Sequence, residues 1–202
     1  MFNQDNSKEQ QQYWSQRYLE NQTGWDIGAP STPIKQYIDQ LENKNLKILI
    51  PGAGNSYEAE YLFKQGFKHV SVLDISNEPL DAFRIRVPDF PINQTIQGDF
   101  FTHKGNYDLI LEQTFFCSFP PTKYNRQRYA TKMCDLLNNN GKLVGLWFNF
   151  PLTGDMDKRP FGGDKEEYSN YFDPFFKIIC FEDCYNSMES RMGSELFGIF
   201  QK

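Results

Sequence analysis

The sequence predicts an α/β fold: a mostly parallel sheet with helices on both faces. Seven short apolar runs of β type recur from residue 46 to the end of the chain, and helical patterns separate the earlier ones. Parallel neighbours need crossover connections, and the crossover helices cover both faces of such a sheet. A length of 202 residues suits one domain, 1–202, with a substantial core.

Taken in order, the segment 5–30 precedes the alternation. As part of an N-terminal stretch 1–45 it is expected to form a helical cover over the ligand edge of the sheet. In "PIKQYIDQLEN", Ile34, Tyr37, Ile38 and Leu41 recur at i, i+3, i+4 and i+7, the stripe of an amphipathic helix. "LKILIP" (46–51) reads as the first strand, and the following helix, 56–66, stops at Gly66. "HVSVLDI" (69–75) is the second strand, with a helix starting near Glu78. "INQTIQGD" (92–99) is a weaker third and "YDLILEQ" (107–113) a fourth. In "YNRQRYATKMCDLL", Tyr129, Met133, Leu136 and Leu137 share a helix face, and "NNNGK" supplies a stop with Gly141 as left-handed cap. "KLVGLWFNF" (142–150), "FKIICFEDC" (176–184) and "ELFGIFQ" (195–201) complete the set. No helical stripe separates the last two, so a hairpin is the simpler connection and the last strand is expected to run antiparallel.

Composition narrows the partners. A formal net charge of −5 and a pI near 5.1, with no clustered basic stripe, argue against nucleic acid. The polar opening "MFNQDNSKEQQQYW" lacks the apolar core of a signal peptide, and no apolar run approaches the roughly 20 residues of a membrane span. A cytoplasmic monomer is the expectation. Cys117, Cys134, Cys180 and Cys184 form no C-x-x-C pair, and His69 and His103 are the only histidines. Reduced thiols and no metal follow.

The functional signal is "ILIPGAGNSYEAEYL". Ligands of open α/β sheets bind at the carboxyl ends of strands, where Gly52 and Gly54 sit. Glycine allows close backbone approach, and Asn55 with Glu58 has capping-box spacing at the helix start. A dinucleotide fingerprint needs a third glycine, and Tyr57 stands there. Glu58 and Glu60 add negative charge that a pyrophosphate would oppose. An adenosyl-amino acid, without phosphate, fits better. Asp74 ends the next strand at the spacing of an acid that accepts ribose hydroxyls. Asp99 in "IQGDFF" can accept from an adenine amino group while Phe100 packs on the ring. Glu112, ending the fourth strand, can bind an ammonium group.

With these residues in view, the chain resembles the thiopurine S-methyltransferase superfamily of class I S-adenosylmethionine-dependent methyltransferases, which includes thiol and halide methyltransferases. The marks are "TGWDIG", "LIPGAGNSYEAEYL", "VLDIS", "GDFF" and "EQTFFCSFPP" with "LLNNNGKLVGLWFNFP". The resemblance implies a Rossmann-like domain that binds S-adenosyl-L-methionine and releases S-adenosyl-L-homocysteine. Trp14, Tyr18 and Trp25 match aromatic positions that wrap the cofactor. Gly52 matches the loop beside its methionine portion, Asp74 the ribose acid, and Ile75 a residue packing on adenine. Asp99 and Phe100 match the adenine edge, and Glu112 a position acidic in close relatives. Phe115 and Phe116 fall where the acceptor pocket begins.

Two departures from the family pattern bear on the acceptor. "PPTKYNRQRY" carries about two extra residues, which leaves Arg126 and Arg128 both open as the family's acceptor-site arginine. "DMDKRPFGG" puts Lys158 and Arg159 where the family has a small pair. The implied reaction is methyl transfer to a small molecule by in-line displacement. Neither His69 nor His103 reads as a base, which favours a soft anion: a thiolate, thiopurine, bisulfide, thiocyanate or halide. The competing readings are a nicotinamide-dependent oxidoreductase and a non-catalytic domain that binds the adenosyl cofactor.

Overall fold

A computed structural model describes residues 7–202, so the first six residues of the expected cover lie outside the described residues. The strands are β1 (Lys47–Pro51), β2 (His69–Asp74), β3 (Thr95–Gln97), β4 (Tyr107–Gln113), β5 (Leu137–Phe148), β6 (Lys177–Asp183) and β7 (Glu195–Gln201). They form one seven-stranded sheet in the order β3-β2-β1-β4-β5-β7-β6. β1 to β5 run parallel, and β7 is antiparallel to both β5 and β6. The expected antiparallel last strand is therefore present, inserted between its two neighbours.

The helices are α1 (Ser7–Leu19), α2 (Thr32–Asp39), α3 (Tyr57–Lys64), α4 (Glu78–Arg86), α5 (Lys123–Leu136) and α6 (Lys165–Phe172). Strand residues two apart point to the same face, and each face carries its own core. Ile48, Ile50, Val70, Val72, Leu109 and Leu111 pack under α2, α3 and α4 through Ile34, Ile38, Leu62 and Phe83. Leu49, Ile110, Leu143, Trp147 and Phe200 pack under α5 and α6 through Tyr129, Met133, Tyr168 and Phe172. By contrast α1 buries no residue.

Several local expectations are corrected. The third strand shrinks to Thr95–Gln97, because Ile92–Gln94 forms a 3-10 turn. Asn55 does not cap α3. The N-cap is Ser56, in a left-handed conformation with no side-chain cap hydrogen bond, while the Asn55 amide donates to Asp26 and Glu58 accepts from Ser31 N at 3.1 Å. The remote partners satisfy both side chains, so the capping box is not made. Gly141 is not a left-handed cap either. α5 passes directly into β5 at Leu137, Asn140 has φ 64°, and the β4–β5 register shifts between the Tyr107 and Leu109 pairs. A glycine is needed there for space: a Cβ at 141 would lie 2.8 Å from Asn138 O and 3.1 Å from Tyr107 O. α6 is an element the sequence pattern did not suggest. Asp164 caps it, accepting from Glu167 N at 2.8 Å, and its buried pair is Tyr168 and Phe172.

Candidate active site

The carboxyl ends of β1, β2 and β4 meet at a cavity of about 680 Å³. The turn after β1 reaches it with Gly52 at φ 58° and Gly54 at φ 51°. A Cβ on Gly52 would lie 2.1 Å from Phe115 Cδ2, and one on Gly54 would lie 3.2 Å from the Tyr18 hydroxyl. The glycines thus make room for two aromatic rings as well as for a ligand.

Asp74 holds this turn. Its Oδ2 accepts from Gly54 N at 2.9 Å and its Oδ1 from Ser76 N at 2.9 Å. Burial pushes its carboxyl up to about 6, against the pull of those backbone donors. Asp99 Oδ1 accepts from Phe101 N at 2.8 Å, which shapes the turn after β3. Gly52, Asp74, Ile75, Asp99, Phe100 and Phe115 all line the cavity, as do Trp14, Tyr18 and Trp25 from the N-terminal segment. Trp25 is the hub of that cover, with edge-on rings to Trp14 at 5.4 Å and Tyr18 at 5.6 Å.

Glu112 lies off the wall of this cavity, in a small pocket it shares with Gly52 and Gly54. Its Oε1 accepts from Phe115 N at 2.8 Å and Phe116 N at 2.9 Å, tethering the loop that Thr114 opens at φ 55°. Its buried Oε2 has no hydrogen-bond partner among the described residues. Burial, then the nearby Glu195 charge, pushes its carboxyl up to about 8 from an ordinary 4.5. Between those two values the folded state keeps a proton that the unfolded chain releases, so stability falls as pH rises, by roughly 1.4 kcal/mol per unit. Asp74 acts in the same direction from 3.8 to about 6. We expect urea midpoints to decline between pH 5.5 and 8. Glu112→Gln keeps an acceptor for both amides and should flatten the decline above pH 6; equal slopes in the two proteins would remove Glu112 as its source.

Two expected acceptor residues are not on the cavity wall. Phe116 is buried against Tyr129, Tyr168 and Phe172. Arg126 is buried too: its Nη2 donates to Gly162 O at 2.7 Å, its Nε lies 3.3 Å from Glu167 Oε1, and its guanidinium lies 4.9 Å from the Phe116 ring and 5.2 Å from the Tyr168 ring. Arg128 lines the cavity instead, 3.9 Å over the Phe101 ring. Residues two apart on α5 point in nearly opposite directions, which is why one faces the cavity and the other does not. Arg126 supports the loop 159–163 from behind.

Of the other wall residues, Phe119, Phe148, Phe150, Arg17 and Arg191 were not singled out from the sequence, whereas Arg159 was. Phe119, Phe148 and Phe150 continue the aromatic lining, and Arg17, Arg159 and Arg191 join Arg128. Arg191 donates to Trp25 O at 2.8 Å. No sequence spacing marks these residues, because the cavity gathers them from separate parts of the chain: Arg17 from α1, Phe148 from the end of β5, the others from connecting segments. Of the pair Lys158 and Arg159, Lys158 is exposed and Arg159 faces the cavity. His103 pairs with the Tyr107 hydroxyl at 2.8 Å and His69 opens β2; neither lines the cavity. All four cysteines are free, and no cluster of metal-ligating residues occurs among the described residues. No helix among them is long and apolar enough to cross a membrane.

Comparison with known proteins identifies the family and the fold. The family model for thiopurine S-methyltransferase matches residues 9–201. A probable thiol methyltransferase 2 of Arabidopsis thaliana is 28% identical over 195 residues, covering 94% of this chain and 84% of that protein. A thiopurine S-methyltransferase of Acinetobacter baylyi is 31% identical over 193 residues, covering 84% of this chain and 86% of that protein. Among solved structures, the magnesium protoporphyrin IX methyltransferase of Synechocystis with bound S-adenosylmethionine superposes with a TM-score of 0.71 at 14% identity, covering 98% of this chain and 97% of that one.

Proposed function

We propose an acceptor class from this premise: the chain belongs to the thiopurine S-methyltransferase family and is an S-adenosylmethionine-dependent methyltransferase. Membership in that family leaves the oxidoreductase reading without support. The acceptor is a small soft anion, such as a thiolate, thiopurine, bisulfide, thiocyanate or halide.

The residues present suit the cofactor. Glu112 Oε2 is buried without a partner, and an ammonium beside it would draw off the proton that burial otherwise holds there and satisfy the carboxylate. Asp74 would hold the ribose, with Ile75 and Phe100 on the adenine faces and Asp99 at its edge. Gly52 lets the backbone approach the methionine portion, and Trp14, Tyr18 and Trp25 exclude water from above. When bound, S-adenosylmethionine supplies a sulfonium methyl group to a nucleophile attacking opposite the sulfur. The aromatic faces of Trp14, Trp25 and Phe115 favour a cation beside them.

The observation that carries the acceptor class is the make-up of the cavity lining. Arg128, Arg159 and Arg191 line it together with Phe115, Phe119, Phe148 and Phe150, and no histidine or lysine does so among the described residues. Cys117 lines it too, but burial pushes its thiol well above the usual range, so it does not act as a base. Such a lining attracts and desolvates an anion, and its two carboxylates, Asp74 and Asp99, are already assigned to the cofactor rather than to deprotonating an alcohol or amine. The remaining task is positioning, which holds the reacting atoms roughly 3–3.5 Å apart.

An acceptor screen with labelled S-adenosylmethionine tests this. A thiopurine, bisulfide, thiocyanate and iodide should include an acceptor whose kcat/KM exceeds that of neutral alcohols and amines at least a hundredfold. Transfer confined to an amine or alcohol would overturn the anion reading. Cofactor binding with no turnover across the panel would favour a non-catalytic domain.

A further inference from the structure

We propose that Arg159 is a positioning residue that latches the N-terminal cover to the acceptor loop, so that cofactor retention is controlled from the acceptor side. The inference rests on the methyl-transfer reading above and deepens it. Arg159 belongs to the basic pair that departs from the family pattern.

Three pieces of chain converge on this side chain. Its Nε donates to Ser118 O at 2.8 Å, in the loop after β4. Its guanidinium lies 4.8 Å from the Tyr13 ring and 5.8 Å from the Trp14 ring, both on α1, and 5.4 Å from Phe161 in its own loop. That loop is firmly anchored: Phe161 N donates to Cys117 O at 2.9 Å, and Gly162 O accepts from Arg126 at 2.7 Å. The latch therefore joins a fixed loop to a loosely held helix.

α1 needs such a contact. None of its residues is fully buried, and Tyr13, Trp14 and Tyr18 are only half-buried, so less apolar packing holds it than holds the other helices. Its other ties include Ser15 Oγ to Glu78 Oε2 at 2.7 Å and the rings around Trp25. Yet α1 carries Trp14 and Tyr18 to the wall that also holds Gly52 and Asp74. If the guanidinium lets go, the cover opens over the cofactor although Arg159 itself sits on the acceptor wall. Planarity matters as well as charge, because a flat guanidinium stacks on rings and donates sideways at once.

The test measures S-adenosylhomocysteine dissociation in the absence of any acceptor, together with amide hydrogen exchange of residues 7–19 in the ligand-free protein. Arg159→Gln should release the ligand at least tenfold faster, equivalent to about 1.4 kcal/mol, and should speed exchange of α1 by a similar factor. Arg159→Lys should fall between, and the exposed neighbour Lys158→Gln should match the wild type. If Arg159→Gln raises only an acceptor KM and leaves dissociation and exchange unchanged, the latch is wrong. Should that variant fail to fold, Tyr13→Leu removes the contact from the other end; wild-type dissociation and exchange there would also overturn it. A wild-type protein that binds no S-adenosylhomocysteine would sink the methyl-transfer reading instead, and α1 exchange would still report on the contact.

Discussion

Asp74→Ala should weaken S-adenosylhomocysteine binding by about a hundredfold. Two losses combine. The ribose loses its proposed acceptor, and the glycine turn loses the group that fixes it, since Asp74 receives Gly54 N and Ser76 N at 2.9 Å each. A hydrogen bond to a charged group contributes about 1.5–3 kcal/mol, and 2.7 kcal/mol corresponds to a factor of about 100. Asp74→Asn should be nearly as damaging, because its amide nitrogen would face one of those N–H donors. Calorimetric titration of both variants, with thermal melts to confirm folding, provides the check. An unchanged dissociation constant would remove Asp74 from the site.

Gly52→Ala should cost both stability and binding. The backbone there is left-handed, at φ 58°, which costs an L-residue roughly 1–2 kcal/mol. In addition the new methyl would lie 2.1 Å from Phe115 Cδ2, and Phe115 cannot retreat freely. Its ring meets Phe100 at 5.1 Å and Phe119 at 4.9 Å. Overpacking of that kind adds about 1–3 kcal/mol. We expect about 3 kcal/mol lost in urea denaturation and at least a hundredfold loss of S-adenosylhomocysteine affinity. The double variant Gly52→Ala with Phe115→Ala relieves the collision and leaves the backbone strain, so its loss should be smaller than the sum of the singles. Strict additivity would show that the two positions do not share this space.

The sheet was legible because its physics is local. The near-continuous apolar runs of β1, β2 and β4, buried on both faces of the sheet, are written in the order of the residues, and Gly52, Asp74 and Asp99 fall at or just after strand ends. Where neighbours in space decide, the sequence misleads. Asn55 and Glu58 have the spacing of a capping box, but Asp26 and Ser31 N claim them from elsewhere in the chain. Tyr57, which argued against a pyrophosphate, also serves the fold: Arg86 sits 4.5 Å over its ring and binds Asn55 O and Glu60. The acids of the first turn are thus partly neutralised by a residue 26 positions beyond Glu60. The arginines of the cavity lining were the least legible part. Arg126 and Arg128 look equivalent in a string of letters, and only the phase of α5 separates them. Arg159 and Arg191 reach the cavity from loops with no periodicity.

The place of β7 also constrains the order of assembly. β6 touches the rest of the sheet only through β7, which is made after it. During synthesis, then, β5 must wait on the ribosome with an open hydrogen-bonding edge until the final strand emerges. β6 and β7 can pair as a hairpin first and dock as a unit. Until they do, the nascent chain presents an unpaired apolar strand, the usual template for sticking to a neighbouring chain. The hazardous interval falls between the synthesis of β5 and that of β7, when the strands that carry Gly52, Asp74 and Asp99 are already made and the sheet is still unclosed.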